Sequence, residues 1–475
     1  MRTRHHDLVV IGTGSGNSLL GPELDDLDIG LVEGGTFGGT CLNVGCIPTK
    51  MFVVPADRVV DAMESARLGV HVTHATADWS AIRDRVFGRI DPISASGEAY
   101  RQKAANITLY QRMARFVGPM TLDTGTGVTV TADRWVIAAG SRPRTLDVRG
   151  LEVDPERGVH TSDSIMRLET LPRRIAIIGG GFVAAELAHV LDAMGTEVTW
   201  VHRGAALLTA EDGAVSSAFT ALAAQRFDLR LRTTVGAARR AGDGTWTLRL
   251  DGPLGSTGVG STGVGSTAVG STEVEVGAVL LAVGRRPNTD LLDAAAAGLP
   301  THPDGRLVVD PQQRTPVEGV FALGDISSPF ELKHAANHEM RVVRHNLSHP
   351  DSLVASDHRF VPHAVFTHPQ IASFGPREED LRAAGVACHS HTQQFGDVAY
   401  GWALEDTTGF VKVVIDPQSR LLLAAHILGP EASTLIQPLI QAAHFGQRAD
   451  DVAKNQYWIH PALSEVVENA LLGLG

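Results

Sequence analysis

The apolar positions of the chain form two similar patterns, one near the N-terminus and one in the middle. In each, an apolar run leads into closely spaced glycines, and a second apolar run follows. The first run covers residues 8–11 and the second covers residues 174–178. Short apolar runs of this kind are typical of strands buried on both faces of a parallel sheet. The pattern therefore predicts two βαβ units of the Rossmann type.

The first glycine loop has the features of a dinucleotide-binding site. Gly12, Gly14 and Gly16 fall in GTGSGN, and such glycines let the backbone approach a pyrophosphate at a helix N-terminus. Glu33 ends the following apolar run, where an acid accepts a hydrogen bond from a ribose hydroxyl. Asn17 stands where the motif has its last glycine, which predicts a looser contact between helix and strand.

The second loop differs at the acidic position. Gly179 and Gly181 lie in the glycine loop, but the next apolar run ends at His202 and Arg203. A cation at this place suits the 2′-phosphate of NADP, and the alternative is an arginine that only faces solvent. Two nucleotide folds in one chain indicate that one binds a flavin and the other a nicotinamide.

Length and charge narrow the class of protein. A chain of 475 residues exceeds a single core and predicts about two to four domains. The formal net charge of −12 argues against nucleic acid as a partner, and no run of about 18 apolar residues is present to span a membrane. The start of the chain shows no export segment, so we expect a cytoplasmic protein.

A tandem GST-x-V pentapeptide occupies residues 255–274. A period of five matches neither a strand nor a helix, and Gly, Ser and Thr cannot build a core. We therefore predict an expanded, mobile loop in a hairpin of the second nucleotide domain.

The cysteines are the main candidates for chemistry. Only three are present, and four residues separate Cys41 from Cys46 in GGTCLNVGCIPTK. In a reducing compartment such a pair is catalytic or metal-binding. Residues at this spacing in a regular helix are about 7.5 Å apart along the axis, so a disulfide requires an irregular helix start, which Gly45 favours. A helix N-terminus would also lower the pKa of a thiol.

Other interpretations of the pair stay open at this point. A structural zinc site needs four ligands, and only Cys388 and scattered histidines remain to complete it. A buried, inert pair is the other alternative. Cys388 itself, isolated in GVACHSH, is expected to be structural.

The C-terminal segment contains a candidate acid–base pair. His460 precedes Pro461, and Glu465 follows at the start of an apolar helix, where it can orient the imidazole. Dithiol chemistry needs a base for the attacking thiol and an acid for the leaving thiol. A purely structural histidine is the alternative.

The motifs GGTCLNVGCIPTK and HPALSEVVENA resemble those of the glutathione-reductase-like, or class I, pyridine nucleotide–disulfide oxidoreductases, over essentially the whole chain. The resemblance implies an α/β fold with two Rossmann-like FAD- and NAD(P)-binding domains and an α+β C-terminal dimerisation domain. The implied domains are 1–148 for FAD, 149–284 for NADPH, 285–357 for a central domain that completes the FAD domain, and 358–475 for dimerisation. It also implies a homodimer in which each cysteine site is completed by the other subunit.

The resemblance also implies a role for each candidate residue. Cys46 is expected to face the flavin and Cys41 to attack the substrate disulfide, with His460 as general acid/base steered by Glu465. The resemblance places an ion pair of Lys50 and Glu186 near flavin N5. The residues that it implies for FAD binding are Gly12, Gly14, Gly16, Glu33, Gly39, Thr40, Lys50, Gly140 and Asp325. Those that it implies for NADPH binding are Gly179, Gly181, His202, Arg203 and Gly284.

The implied activity is NADPH-dependent reduction of a low-molecular-weight disulfide. NADPH-specific glutathione reductases have a second arginine six residues after the first, and Thr209 stands there instead, so a less strict preference for NADPH is expected. Dihydrolipoamide dehydrogenase and a glutathione-type reductase are alternatives within the family. A flavoprotein redox sensor without turnover is an alternative of a different class.

Overall fold

A computed structural model of the chain describes residues 2–253 and 269–475. The chain forms two compact units. The first comprises Met1–Thr49, Arg83–Arg144 and Arg285–His358, and the second comprises Lys50–Ile82, Thr145–Gly284 and Arg359–Gly475. The predicted domain boundaries after residues 148, 284 and 357 stay predictions. No helix within the described ranges combines the length and the apolar character that a membrane span requires.

Strands and α-helices are numbered in chain order over the described residues. The strands are β1 (Arg2–Ile11), β2 (Ile29–Val32), β3 (Ile107–Tyr110), β4 (Arg115–Gly118), β5 (Thr121–Asp123), β6 (Val128–Ile137), β7 (Ser141–Pro143), β8 (Val159–His160), β9 (Arg174–Ile178), β10 (Glu197–Val201), β11 (Asp228–Arg230), β12 (Thr234–Arg240), β13 (Trp246–Pro253), β14 (Val269–Val276), β15 (Ala278–Leu281), β16 (Arg285–Pro287), β17 (Val320–Ala322), β18 (His363–Val365), β19 (Gln370–Phe374), β20 (His389–Gln394), β21 (Phe410–Ile415) and β22 (Leu422–Gly429). The α-helices are α1 (Gly39–Asn43), α2 (Cys46–Glu64), α3 (Trp79–Lys103), α4 (Ser162–Ile165), α5 (Phe182–Ala193), α6 (Gly213–Arg226), α7 (Lys333–Ser348), α8 (Glu378–Ala383), α9 (Ala399–Ala403), α10 (Ala432–Leu435), α11 (Gln437–His444), α12 (Ala449–Lys454) and α13 (Ser464–Leu472).

The first unit is built on a mostly parallel sheet in the order β3-β2-β1-β6, with β17 beside the end of β6. The strands β5 and β4 continue it as antiparallel neighbours. Along β1, Leu8 and Val10 enter one hydrophobic core, whereas Val9 and Ile11 enter another. A strand presents alternate side chains to opposite faces, so the prediction of a strand buried on both faces is confirmed.

The connection from β1 to β2 departs from the predicted βαβ unit. In place of a helix, the chain makes two short 3₁₀ turns, Asn17–Leu19 and Pro22–Leu24. Pro22 has no backbone N–H to donate, and it interrupts any helix that begins at the glycine loop. The predicted helix is therefore wrong for the first loop.

The second unit contains the predicted βαβ arrangement in full. One sheet of this unit has five parallel strands, in the order β11-β10-β9-β15-β8. Gly181 directly precedes α5, a helix of 12 residues that is apolar nearly all round and mostly buried. The helix connects β9 to β10, so the prediction from the second glycine loop is confirmed.

The GST-x-V repeat, predicted as a loop over residues 255–274, lies mostly outside the described residues. Its last part is not a loop, because residues 269–274 belong to β14, which pairs antiparallel with β13. Val274 and Val276 pack against the hydrophobic core of the second nucleotide fold. A strand that alternates apolar side chains toward a core is favoured even within a repeat of small residues.

The C-terminal part of the second unit is an antiparallel sheet in the order β18-β19-β22-β21-β20. Every residue of β21 is buried. Val413 packs in a core with residues of α11 and α13, whereas Val414 packs with Leu381 of α8 on the other face. The predicted α/β fold class, with an α+β C-terminal domain, is confirmed.

A buried group of charges connects the start of α6 to this C-terminal sheet. Lys412 on β21 lies 2.8 Å from the carboxylates of both Asp212 and Glu378. Asp212 also caps α6, since it accepts from the backbone N–H of Ala214 at 3.0 Å. Burial opposes ionisation of Glu378, but hydrogen bonds led by that from Lys412 outweigh it and lower the pKa of this carboxyl to about 2.

Lys412→Met is expected to lower the free energy of unfolding by about 3 kcal/mol at neutral pH, because the buried carboxylate of Asp212 and the partly buried carboxylate of Glu378 lose their cation. The pKa of Glu378 lies below its ordinary value of 4.5, so its stabilising effect is present above pH 4.5 and is lost as the pH falls toward about 2. In urea denaturation, the difference between variant and parent should therefore shrink below pH 4.5. Arg382→Met removes a far more exposed partner of Glu378 and should lower the free energy of unfolding much less than Lys412→Met does. An equal loss in both variants would contradict this account.

Candidate active site

The cysteine segment folds as two helices with a break between the cysteines. Cys41 lies in α1, α2 begins at Cys46, and Val44 and Gly45 separate the helices. A Cβ at Gly45 would lie 3.0 Å from the carbonyl oxygen of Thr40, so this close approach favours glycine. The break provides the irregular helix start that a Cys41–Cys46 disulfide requires.

Both cysteines are free thiols, and their side chains are hydrogen bonded to each other. This hydrogen bond raises the pKa of Cys41, and burial and the charge of Cys46 raise it further. The expectation of a lowered thiol pKa is therefore wrong for Cys41 in the reduced state, because these effects outweigh a helix of 5 residues. Cys41 consequently needs a base before it can act as a nucleophile. Within the described ranges, no group of three His, Cys, Asp or Glu side chains is arranged to hold a metal ion.

Lys333, the first residue of α7, is a cation near this pair that the sequence did not indicate. Its ammonium donates to the Ser15 hydroxyl at 2.9 Å, and its charge opposes the upward shift of the Cys41 pKa. The glycine loop contacts α1 directly, since a Cβ at Gly39 would lie 2.8 Å from the Gly14 Cα. Lys333 and Ser15 are 318 positions apart in the chain, so no local pattern could predict their contact.

The first glycine loop is held by close backbone contacts. Gly12 has φ +105°, and a Cβ there would lie 2.2 Å from the Ala138 carbonyl oxygen, so a side chain does not fit. Glu33 accepts hydrogen bonds from the backbone N–H groups of Thr13 at 3.0 Å and Gly35 at 2.7 Å. The carboxylate is thereby held beside the loop, where a ribose hydroxyl is expected.

Asn17 has a role that the glycine motif does not predict. Its side-chain oxygen accepts from Arg101 at 2.7 Å, and the same guanidinium donates to the carbonyls of Asn17 and Leu20. Arg101 therefore closes the short turn that follows Gly16. The looser contact between helix and strand expected from Asn17 has no counterpart, because a 3₁₀ turn follows the loop in place of that helix.

Asp325 and Gly140 are linked through Ser141. The Ser141 hydroxyl donates to Asp325 at 2.6 Å, and Arg285 donates to the same hydroxyl at 2.8 Å. A Cβ at Gly140 would meet nothing within 4 Å, so there is open space beside it. A partly exposed carboxylate next to open space fits a ligand that carries hydroxyl groups. Neither Ser141 nor Arg285 was among the predicted residues. Thr40, the remaining predicted FAD contact on α1, is exposed.

Lys50 and Glu186 form an ion pair, as expected from the resemblance. The Lys50 Nζ lies 2.8 Å and 2.7 Å from the two carboxylate oxygens, and Glu186 is buried. The backbone N–H of Phe366 donates to the same carboxylate at 2.9 Å, and its ring centroid lies 4.7 Å from Nζ. These contacts hold the ammonium in one place. Its position beside a flavin stays a prediction.

A second polar pair connects the same two helices. Asp57 of α2 lies 2.7 Å from the imidazole Nε2 of His189 of α5, and burial lowers the pKa of that imidazole. Asp57 follows Lys50 by seven residues and His189 follows Glu186 by three, so each pair shares one face of its helix. This spacing was the signal that sequence analysis overlooked.

His460 and Glu465 are in hydrogen-bond contact. The Nδ1 of His460 lies 3.1 Å from Oε2 of Glu465, which is in the first turn of α13. The His460 side chain is 68% exposed, and the nearby Tyr457 and Ile459 are also exposed. Among the described residues only Glu465 is hydrogen bonded to this imidazole, so its Nε2 is available to another group.

In the second glycine loop, His202 packs against the glycines. A Cβ at Gly180 or Gly204 would lie 2.5 Å from its imidazole. Burial lowers the pKa of His202 and the charge of Arg203 lowers it further, so both effects favour the neutral imidazole. Arg203 is exposed and is the permanent cation at this position. A Cβ at Gly181 would meet nothing within 4 Å, which leaves room for a ligand at the start of α5.

The other glycines of this site lie at the same edge of the sheet. Gly179 directly follows β9, and Gly284 lies in the turn that follows β15. These strands are parallel neighbours. Ligands of open α/β sheets bind at the carboxyl ends of such strands. The loops and the open space at Gly181 therefore fit a dinucleotide.

The sequence matches two domain models that belong to one protein family. Residues 6–340 match pyridine nucleotide-disulphide oxidoreductase, and residues 361–471 match the dimerisation domain of the same group. The chain belongs to the pyridine nucleotide-disulphide oxidoreductases. The family predicted from the cysteine and His-Pro motifs is confirmed, and so is its class of activity, pyridine-nucleotide-dependent disulfide reduction.

Several relatives match over nearly their full length. Mycothione reductase from Mycobacterium tuberculosis is 47% identical over 482 residues, which cover 99% of each chain. Dihydrolipoyl dehydrogenase from Haloferax volcanii is 32% identical over 98% of this chain and 96% of its own. The structure of the flavoprotein disulfide reductase RclA from Escherichia coli has a TM-score of 0.82 at 22% identity, and covers 99% of this chain and 100% of its own. This oxidoreductase therefore shares the RclA fold.

Proposed function

We propose that this oxidoreductase reduces mycothione, the disulfide of mycothiol, with NADPH as the electron donor. The full-length similarity to Mycobacterium tuberculosis mycothione reductase carries the proposal. The segments GTGSGNS, CLNVGCIPTKMF and HPALSEVVENALLGL also resemble that enzyme. The hydrogen-bonded thiols of Cys41 and Cys46 are a suitable dithiol for the reaction.

FAD and NADPH are assigned to the two glycine loops. FAD would be held by Gly12, Gly14, Gly16, Glu33, Gly39, Thr40, Gly140 and Asp325. The resemblance also assigns Lys50, paired with Glu186, to the flavin. NADPH would be held by Gly179, Gly181, His202, Arg203 and Gly284. When bound, FAD passes the electron pair of the nicotinamide to the dithiol.

Reduction of the substrate begins at Cys41. Once deprotonated, Cys41 attacks one sulfur of mycothione, the S–S bond breaks, and a mixed disulfide forms. His460 takes the proton from Cys41 and returns it to the departing mycothiol. Cys46 then attacks the Cys41 sulfur, releases the second mycothiol and closes the Cys41–Cys46 disulfide. One hydride from NADPH and one proton from solvent balance the two thiols formed.

The His460–Glu465 pair is assigned to the cysteine site of a second copy of the chain. A dimerisation domain at residues 361–471 supports a homodimer. The exposure of His460, with the apolar side chains of Tyr457 and Ile459 beside it, supports a surface that a second subunit covers. Each active site would then combine the dithiol of one subunit with the imidazole of the other.

Dihydrolipoamide dehydrogenase and a glutathione-type reductase are less well supported. A site for NAD has an acid where this chain has His202, and the dihydrolipoyl dehydrogenase of Haloferax volcanii is only 32% identical. A glutathione site needs cations for the substrate carboxylates. No cationic residue of the sequence is assigned to binding those carboxylates.

Steady-state oxidation of NADPH with mycothione, lipoamide and glutathione disulfide tests the proposal. We expect kcat/KM for mycothione to exceed the other two values by about 100-fold or more, and NADPH to be preferred over NADH. A preference for lipoamide with NADH would overturn the assignment. A protein that binds FAD but reduces none of the three disulfides would support a redox sensor instead.

A further inference from the structure

The turn after β11 lies directly against the chain that follows β10. The two strands are parallel neighbours. Beyond their ends, the backbone N–H of Arg232 donates to the Gly204 carbonyl at 2.8 Å, and that of Thr233 donates to the His202 carbonyl at 3.0 Å. Arg203 lies between His202 and Gly204, so these hydrogen bonds hold the backbones of Arg203 and Arg232 side by side.

Arg203 and Arg232 are both exposed, and neither forms an ion pair with any other described residue. Arg230, the last residue of β11, does form an ion pair, because its guanidinium lies 2.7 Å from the carboxylate of Asp228. The whole chain carries a net charge of −12. Two adjacent arginines without counter-ions at the carboxyl end of a nucleotide-binding sheet are therefore a local site for an anion.

Arg232 has an uncommon backbone conformation. Its φ is +51°, in the left-handed region, which eight other described non-glycine residues also adopt, so the conformation alone does not indicate a ligand. A guanidinium suits this place, because it binds phosphate oxygens in a bidentate manner.

The expected NADPH site lacks its second arginine, and Arg232 can take that place. Thr209 stands where a second arginine is expected, and the half-buried His202 packs against Gly180 and Gly204, where desolvation disfavours its charged form. Arg203 alone would then face a phosphate that carries more than one negative charge. We propose that Arg232 is the second cation for the 2′-phosphate and determines the preference for NADPH over NADH. This inference rests on the proposed function, specifically on NADPH as the donor.

Arg232→Asn is the most informative variant, because asparagine accepts the left-handed conformation while the substitution removes the guanidinium. We expect binding of 2′,5′-ADP to the FAD-loaded enzyme, measured by calorimetry, to weaken about tenfold. The KM for NADPH should rise by about the same factor, whereas the KM for NADH and the affinity for 5′-AMP should change less than about twofold. Arg232→Lys should retain most of the affinity. Arg239→Asn, at an exposed arginine of β12, is the matched control and should change none of these values.

Unchanged binding of 2′,5′-ADP in Arg232→Asn would overturn the inference. An equal loss of 2′,5′-ADP and 5′-AMP binding would also overturn it, since the variant would then have disturbed the fold of the site. Failure of the proposed donor gives a different result. In that case the unaltered enzyme itself would bind 2′,5′-ADP no more tightly than 5′-AMP, and both proposals would fall.

Discussion

Cys41→Ser is expected to abolish the reduction of mycothione, with kcat lowered by about 1000-fold or more, while NADPH still reduces the bound flavin. The hydroxyl that replaces the thiol cannot form a mixed disulfide with the substrate. Flavin reduction depends on the nucleotide sites, and Cys41 is not among the residues assigned to either of them. Stopped-flow absorbance of the flavin and steady-state turnover with mycothione measure the two half-reactions separately.

Two further variants make this test specific. Cys388→Ser applies the same change to the third free cysteine, on the turn before β20, and should retain full activity. Cys46→Ser should release one mycothiol per site and then stop, with the second attached to Cys41. Mass spectrometry of the protein would detect that adduct. Normal turnover in Cys41→Ser, or an adduct on Cys388, would contradict the assignment.

His460→Gln is expected to lower kcat for mycothione by about 100- to 10,000-fold, again with flavin reduction preserved. The reason lies in the pKa of Cys41, which its hydrogen bond with Cys46 and its burial raise above the ordinary value. Without the imidazole, the thiolate forms only as the pH approaches that raised pKa. The rate of the variant should therefore increase with pH over a range in which the rate of the parent does not.

The matched control for the imidazole is His389→Gln, which changes an exposed histidine at the start of β20. It should leave kcat unchanged. Glu465→Gln keeps a hydrogen-bonding group near His460 and removes its charge, so a smaller loss of about tenfold is expected. A pH profile in His460→Gln identical in shape to that of the parent would rule out the base assignment.

Mixing the two inactive variants tests whether the site is shared. In a mixed dimer of Cys41→Ser and His460→Gln, one of the two sites would contain both an intact Cys41 and an intact His460 from the other subunit. Activity should therefore return when the variants are refolded together, although neither is active alone. No recovery in a verified mixed dimer would indicate that His460 acts on the cysteines of its own chain.

The structure shows where local sequence patterns are sufficient and where they are not. The apolar runs at residues 8–11 and 174–178 predict buried strands, and both form them, because a run of apolar side chains is unfavourable wherever it faces water. The same glycine pattern predicted a helix after both loops, yet only the second loop has one. Pro22 explains the difference, and the glycine spacing contains no information about it.

The sequence by itself determined the dithiol, the two glycine loops, the Lys50–Glu186 pair and the His460–Glu465 pair, through short motifs and a family resemblance. Short motifs constrain the local backbone, and that is why Cys41 and Cys46 were expected at an irregular helix start. Tertiary structure alone decided which groups lie beside these motifs. Lys333 beside the glycine loop and Arg232 beside Arg203 come from distant segments of the chain. The pKa of Cys41 follows from burial and from its neighbour, and both are properties of the folded chain.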